Sequence, residues 1–189
     1  MPILVLASAS PRRLELLRQV GIEPEVRPVD IDESVLPDES PQDYVTRLAL
    51  AKARAAGQHE TRPVLGSDTA VVIDTQILGK PQDAEEAATM LRRLSGRIHT
   101  VLTAVALLHG SAERVVVTST EVEFAPLSEA EIQAYWETGE PADKAGAYGI
   151  QGRAAAFIRR VNGSYTGVVG LPLFETVEML KELGVRNEG

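Results

Sequence analysis

Two long β-patterned runs, Ile98–Leu108 and Glu113–Phe124, face each other across His109-Gly110-Ser111-Ala112. Both are rich in branched residues, and so short a Gly-containing connection predicts an antiparallel β-hairpin. The rest of the chain alternates strand and helix patterns. Ile3 to Ala7 reads as a strand, and Pro11 opens a helix that ends at Gly21, with Leu14, Leu17 and Val20 as its buried stripe. An irregular acidic stretch, 22–40, precedes a helix from Ser40-Pro41 to Gly57. Pro63–Gly66 and Ala70–Asp74 read as two strands separated by Ser67-Asp68-Thr69. Helices over Asp83–Leu94 and from Ser128 to Thr138, a strand near Ala155–Val161 and a helix over Pro172–Leu183 complete the pattern, with Glu131 placed for a capping box. Such alternation around a long hairpin argues for an α/β protein with a mixed β-sheet and flanking helices. Neither a repeat nor a break in composition divides the chain, so one domain over 1–189 is expected.

Charge and cysteine usage narrow the chemistry. The 189 residues carry 27 acidic and 19 basic side chains, a formal net charge of −8. Non-specific nucleic-acid binding is therefore not expected, because it needs many phosphate contacts. A polyanionic small molecule can still be held if the few cations converge in one cleft. The absence of cysteine rules out a disulfide framework, a thiolate nucleophile and a cysteine zinc site. MPILVLAS lacks the features of a signal peptide and no run reaches membrane-spanning length, so a cytoplasmic protein is expected.

Arg12 and Arg13 head the run SASPRRLELL, at the start of a helix. Cations there oppose the helix dipole, whereas free backbone N–H groups beside two guanidiniums suit an anion such as a phosphate chain. Alternatively, one arginine is solvated and the other pairs with Glu15. Ser8 and Ser10 fit phosphate-binding or capping roles better than a hydrolase triad. Asp68, read as lying at a strand end, can bind a divalent ion and hold or deprotonate a water; an Asx turn is the other reading. Glu33 is either a surface carboxylate or a partner of Asp68 on a shared cation. Lys52 and Lys80 are spare cations, the first on an alanine-rich helix that could equally present it to solvent, the second in a Gly79-Lys80-Pro81 turn. In DKAGAYGIQG, the Gln151 amide can both donate and accept, as reading a base edge requires, or it can be exposed in a glycine-rich turn. His59, His99 and His109 are scattered, and His99 reads as a structural hydrogen bonder.

Taken together, LASASPRRLELL, Asp32-Glu33, the LAKA helix within Ala49–Ala53, GSDTAV, ILGKP, MLRRLSGRIHTV, GEPADKAGAYGIQG and VVGLP resemble the Maf family of nucleotide pyrophosphatases over almost the whole chain. The resemblance implies an inosine triphosphate pyrophosphatase-like fold with two lobes around a central cleft, often homodimeric. It implies hydrolysis of a nucleoside triphosphate between the α and β phosphates with a divalent metal cation, Mg²⁺, Mn²⁺ or Co²⁺. Carried onto this sequence, Ser8, Arg12, Arg13 and Gln151 would bind substrate. Lys52 and Lys80 would complete a cationic wall, Glu33 and Asp68 would face the metal, and Asp68 would be the general base. The late motif is similar to that of the dTTP/UTP subgroup. Turnover of modified or purine nucleotides, or non-catalytic nucleotide binding linked to septum formation, are the alternatives. Ser67, Ala70 and Thr166-Gly167 depart from the family's usual residues without removing a charge.

Overall fold

A computed structural model of the chain describes residues 3–185, so residues 1–2 and 186–189 of the expected domain lie outside it. In chain order the elements are β1 (Val5–Leu6), α1 (Pro11–Gln19), β2 (Glu25–Val26), α2 (Pro41–Ala56), β3 (Val64–Ile73), β4 (Gln76–Leu78) and α3 (Ala84–Leu94). They continue as β5 (Ile98–His109), β6 (Ala112–Phe124), α4 (Glu129–Trp136), β7 (Ile158–Asn162), α5 (Tyr165–Val169) and α6 (Leu173–Glu182). Short 3₁₀ turns span Glu140–Asp143, Ala145–Ala147 and Arg153–Phe157. The strands form one seven-stranded mixed sheet in the order β2-β1-β3-β5-β6-β7, with β4 also on β3. The predicted hairpin is its centre: β5 pairs with β6 from Ile98↔Glu123 to His109↔Ala112.

One departure from the expected elements decides the site. Residues 63–74 are not two strands around a polar turn. Val64–Ile73 is one continuous strand, with Asp68 at its middle. The ladder to β5, from Val64↔Leu108 to Val72↔Thr100, holds Ser67-Asp68-Thr69 extended, and tertiary pairing overrides the local turn preference. On its other edge β3 is paired only at its ends. β1 runs parallel to it at Val64 and Leu65, and β4 antiparallel at Val71–Ile73. These directions aim the C-terminal ends of β1 and β4 at each other across an unpaired stretch of β3, and Asp68 lies in that gap.

Alternation along β3 and β5 divides the core. Leu65, Val105 and Leu107 face α1 and α6, with Leu16, Leu17, Met179 and Leu180. Val64, Ala104 and Ala106 face the opposite way, onto Val45, Ala49 and Ala53 of α2. Farther along the first face, Val71, Val101, Val122 and Phe124 pack on α3, α4 and the 145–154 turns. The α1 stripe is shifted from expectation: Leu16 and Leu17 are its buried residues, while Leu14 and Val20 are partly buried. His99 has its Nε2 2.7 Å from the Tyr148 hydroxyl, with the rings of Phe124 and Tyr148 edge-on to it. The three starts predicted from Ser40, Asp83 and Ser128 are all capped by those side chains, with a full capping box at Ser128–Glu131. Among the described residues, no helix is long and apolar enough to cross a membrane.

Candidate active site

A cleft of about 780 Å³ opens over the gap in β3. Ser8, Arg12, Arg13, Glu33, Lys52, Asp68, Lys80 and Gln151, drawn from six separated stretches of sequence, all line it. The topology explains the convergence. β1 delivers Ser8 and the start of α1 to one side of Asp68, and β4 delivers Gly79 and Lys80 to the other.

The floor is a three-membered ionic chain. Lys52 Nζ lies 2.7 Å from Asp68 Oδ1 and 2.7 Å from Glu33 Oε1. Lys52 belongs to the sheet-facing stripe of α2, in step with Val45, Ala49 and Ala56, and only 11% of its side chain is exposed. The solvated-face alternative for Lys52 is therefore not what the helix presents. Gly66 permits the approach. A Cβ there would stand 2.2 Å from the Ala49 carbonyl oxygen and 2.7 Å from the Ala53 nitrogen, so only a glycine lets α2 lie this close to β3. Glu33 is half exposed, and its loop is folded back on α2: the Tyr44 hydroxyl donates to the Glu33 carbonyl, and Arg47 donates to that of Ser34.

Burial raises the pKa of the Asp68 carboxyl above the usual 3.8, and the charges of Lys52 and Arg13 only partly offset it. Arg13 lies partly buried in the same cleft. Burial lowers the guanidinium's pKa and Asp68 opposes this; an arginine keeps its charge throughout. Its Nε donates to the Gly170 carbonyl at 2.7 Å, Nη1 to Ser8 Oγ at 3.2 Å and Nη2 to Thr69 Oγ1 at 3.3 Å. These bonds aim a fixed fork into the cleft with N–H donors to spare. Arg12 is looser, 3.9 Å from Asp143 on the far wall. Ser10 occupies the N-cap position of α1 without its side chain capping a backbone N–H, and Ser8 Oγ takes the Ser10 amide.

Thr69, Glu140 and Lys144 also line the cleft, and sequence reasoning gave none of them a role. Glu140 and Lys144 lie within the GEPADKAGAYGIQG motif, so the motif was the available signal; for Thr69 the neighbourhood of Asp68 was. The two carboxylates on Lys52, Asp68 and Glu33, are hard oxygen donors of the kind that would hold a Mg²⁺-like cation. Among the described residues no group of three or more His, Cys, Asp or Glu side chains could hold an ion by itself.

The family model described as Maf-like protein matches residues 3–183. A dTTP/UTP pyrophosphatase of Hahella chejuensis is 55% identical over 187 residues, covering 97% of this chain and 93% of the relative. One of Symbiobacterium thermophilum is 57% identical over 185 residues, covering 97% and 95%. Among solved structures, a HAM1 protein from Coxiella burnetii has the same fold, with a TM-score of 0.56 at 20% identity, over 96% of this chain and all of that one. From residue 3 to residue 183, the chain belongs to the Maf family.

Proposed function

We propose that the cleft binds a pyrimidine nucleoside triphosphate, dTTP or UTP, and hydrolyses it between the α and β phosphates to a nucleoside monophosphate and pyrophosphate. The observation that carries this reading is the Glu33–Lys52–Asp68 chain on the floor of a cleft also lined by Arg12, Arg13 and Lys80. The names of the two relatives supply the substrate pair.

Arg13, held by Gly170, Ser8 and Thr69, binds the phosphate chain with its remaining N–H groups. Arg12 and Lys80 add charge from the two sides, and Ser8 lies at the same end. Asp68 orients a water, and its raised pKa makes it a stronger base than a solvated aspartate. As the water oxygen bonds to the α-phosphorus, its proton passes to Asp68. The bond from the α-phosphorus to the bridging oxygen breaks, and its electron pair leaves with pyrophosphate. Lys52 holds Asp68 and Glu33 in place and faces the growing negative charge. Asp68 and Glu33 are the residues that would hold Mg²⁺, Mn²⁺ or Co²⁺, which when bound neutralises phosphate charge and acidifies water. Gln151 meets the base edge.

The test is product release from dTTP, UTP, CTP, GTP, ATP and 7-methyl-GTP with Mg²⁺ or Mn²⁺, scoring pyrophosphate apart from orthophosphate. Pyrophosphate from dTTP and UTP, with ¹⁸O from labelled water in the monophosphate, is expected. Orthophosphate as the product would refute the bond assignment, and preference for a purine would refute the base assignment.

A further inference from the structure

We propose that Glu140 and Tyr135 are a positioning couple that fixes the segment Gly149–Gly152, and through it the nucleobase selectivity of the cleft, without taking part in the phosphate chemistry. The inference rests on the nucleotide reading above and adds to it the residues that set the base-reading wall.

Tyr135 is buried in the last turn of α4. Its hydroxyl donates to Glu140 Oε1 at 2.6 Å and accepts the Gly149 N–H at 3.2 Å. The other oxygen, Glu140 Oε2, accepts the Arg153 N–H at 3.0 Å, and the Ala154 N–H also bonds to this carboxylate. One phenol–carboxylate couple thus ties both ends of the segment that carries Gln151. The fit beneath it is close. A Cβ at Gly152 would stand 2.2 Å from Glu140 Oε1, so the carboxylate occupies space that any other residue would need. A Cβ at Gly149 would meet Lys144 Cε at 2.6 Å, and Lys144 is itself held by the Glu140 carbonyl and Asp143 Oδ1, both at 2.8 Å from Nζ.

Gln151 lines the cleft and is exposed, and its amide has no hydrogen-bond partner among the described residues. Nothing on the side chain fixes it, so its place is inherited from the backbone on either side. Bonds to an ionised carboxylate are stronger than neutral ones, which suits Glu140 to holding a glycine-bordered loop. Burial pushes the Glu140 carboxyl up, but the bonds from Tyr135, Arg153 and Ala154 outweigh it and keep its pKa below the usual range. The couple therefore stays ionised at neutral pH. Neither Glu140 nor Tyr135 bonds to Ser8 or Arg13, whose partners are Gly170, Thr69, Ser10 and each other, which is why base contacts and phosphate contacts should separate experimentally.

The experiment compares Glu140→Ala, Glu140→Gln and Tyr135→Phe with the wild type. It reads kcat and KM for dTTP and GTP, and the inhibition constant of inorganic triphosphate, a ligand with no base. Expected for Glu140→Ala is a rise in the dTTP KM of roughly 10-fold or more, the cost of lost charge-assisted bonds. With it, kcat should be nearly unchanged, triphosphate inhibition unchanged, and the preference for dTTP over GTP narrowed. Glu140→Gln, which keeps acceptor oxygen, should recover part of the loss. Tyr135→Phe, which keeps the packing and removes one hydroxyl, should show the same pattern more weakly. Amide hydrogen exchange at Gly149 and Arg153 should quicken in all three. Unchanged exchange, unchanged selectivity, or equal losses for dTTP and triphosphate would overturn the positioning role while leaving the reaction standing. A wild type that releases no pyrophosphate from any nucleotide would instead overturn the nucleotide reading and this inference with it.

Discussion

At Lys52 Nζ two carboxylates share one ammonium, and their surroundings separate their roles. Asp68 is 7% exposed and faces Arg13 as well, whereas half of the Glu33 side chain meets solvent. A buried carboxylate with a raised pKa is a better proton acceptor than an exposed one, which is why the proposed mechanism gives the base role to Asp68 and not to Glu33. Asp68→Asn keeps the shape and removes the basic oxygen. It is expected to lower kcat at least ~10²-fold with little change in KM. The pH profile supplies a second readout. Asp68 must be ionised to act, so wild-type activity should fall as pH drops through a pKa above 3.8, and this acid limb should be missing from the residual activity of the variant. Near-normal kcat in Asp68→Asn would remove the residue from the proton transfer.

Between elements, the decisive fact is the unequal length of neighbouring strands. β3 runs ten residues, while β1 has two and β4 three, so the edge of β3 is left open between them. The gap gives Asp68 the surroundings of a strand end although its own strand continues. Across the sheet, α2 approaches β3 at Gly66 closely enough for Lys52 to bridge to Asp68. Gly66→Ala tests this contact. An added methyl would overlap main-chain atoms of Ala49 and Ala53, which no rotamer change relieves, so α2 must move. A loss of about 3 kcal/mol in chemical denaturation is expected, together with a fall in activity as Lys52 leaves Asp68. Unaltered stability would mean that α2 yields freely and that its contact with β3 does not set the site.

Over the whole molecule, His99 joins the base of the central hairpin to the late turns through Tyr148, in a cluster closed by Phe124. Burial lowers its pKa from 6.5 to about 4. The folded protein thus keeps His99 neutral where the unfolded chain already takes up a proton. The unfolded state binds more protons between these values, so stability rises with pH there. The contribution is full above 6.5 and is lost as pH falls toward about 4, amounting to about 3 kcal/mol. Denaturation midpoints measured between pH 7 and 4 should fall accordingly, and His99→Gln should flatten the slope. An equal slope in the variant would place the acid sensitivity elsewhere.

Much of this protein was legible in its sequence, because hairpin, helix and cap signals are local. The Ile98–Phe124 hairpin and the capped starts of α2, α3 and α4 each depend on a few adjacent residues. The charged residues of the cleft were legible as candidates for the same reason, since guanidiniums in a first helical turn and a lysine between Gly79 and Pro81 stand out where they occur. Among the alternatives that stayed open, two concern the floor of the cleft. Lys52 could have been solvated, and Ser67-Asp68-Thr69 could have been a turn. Both are decided by partners far along the chain: the β5 ladder that holds Asp68 extended, and the α2–β3 contact at Gly66 that buries Lys52. The couple between Tyr135, Glu140 and the Gly149–Arg153 backbone was hidden in the same way, because its carboxylate acts on main-chain N–H groups that no residue identity records. Local propensity writes elements into a sequence, but which side chains share a low-dielectric cleft is settled by long-range pairing, and with it their charge and chemistry.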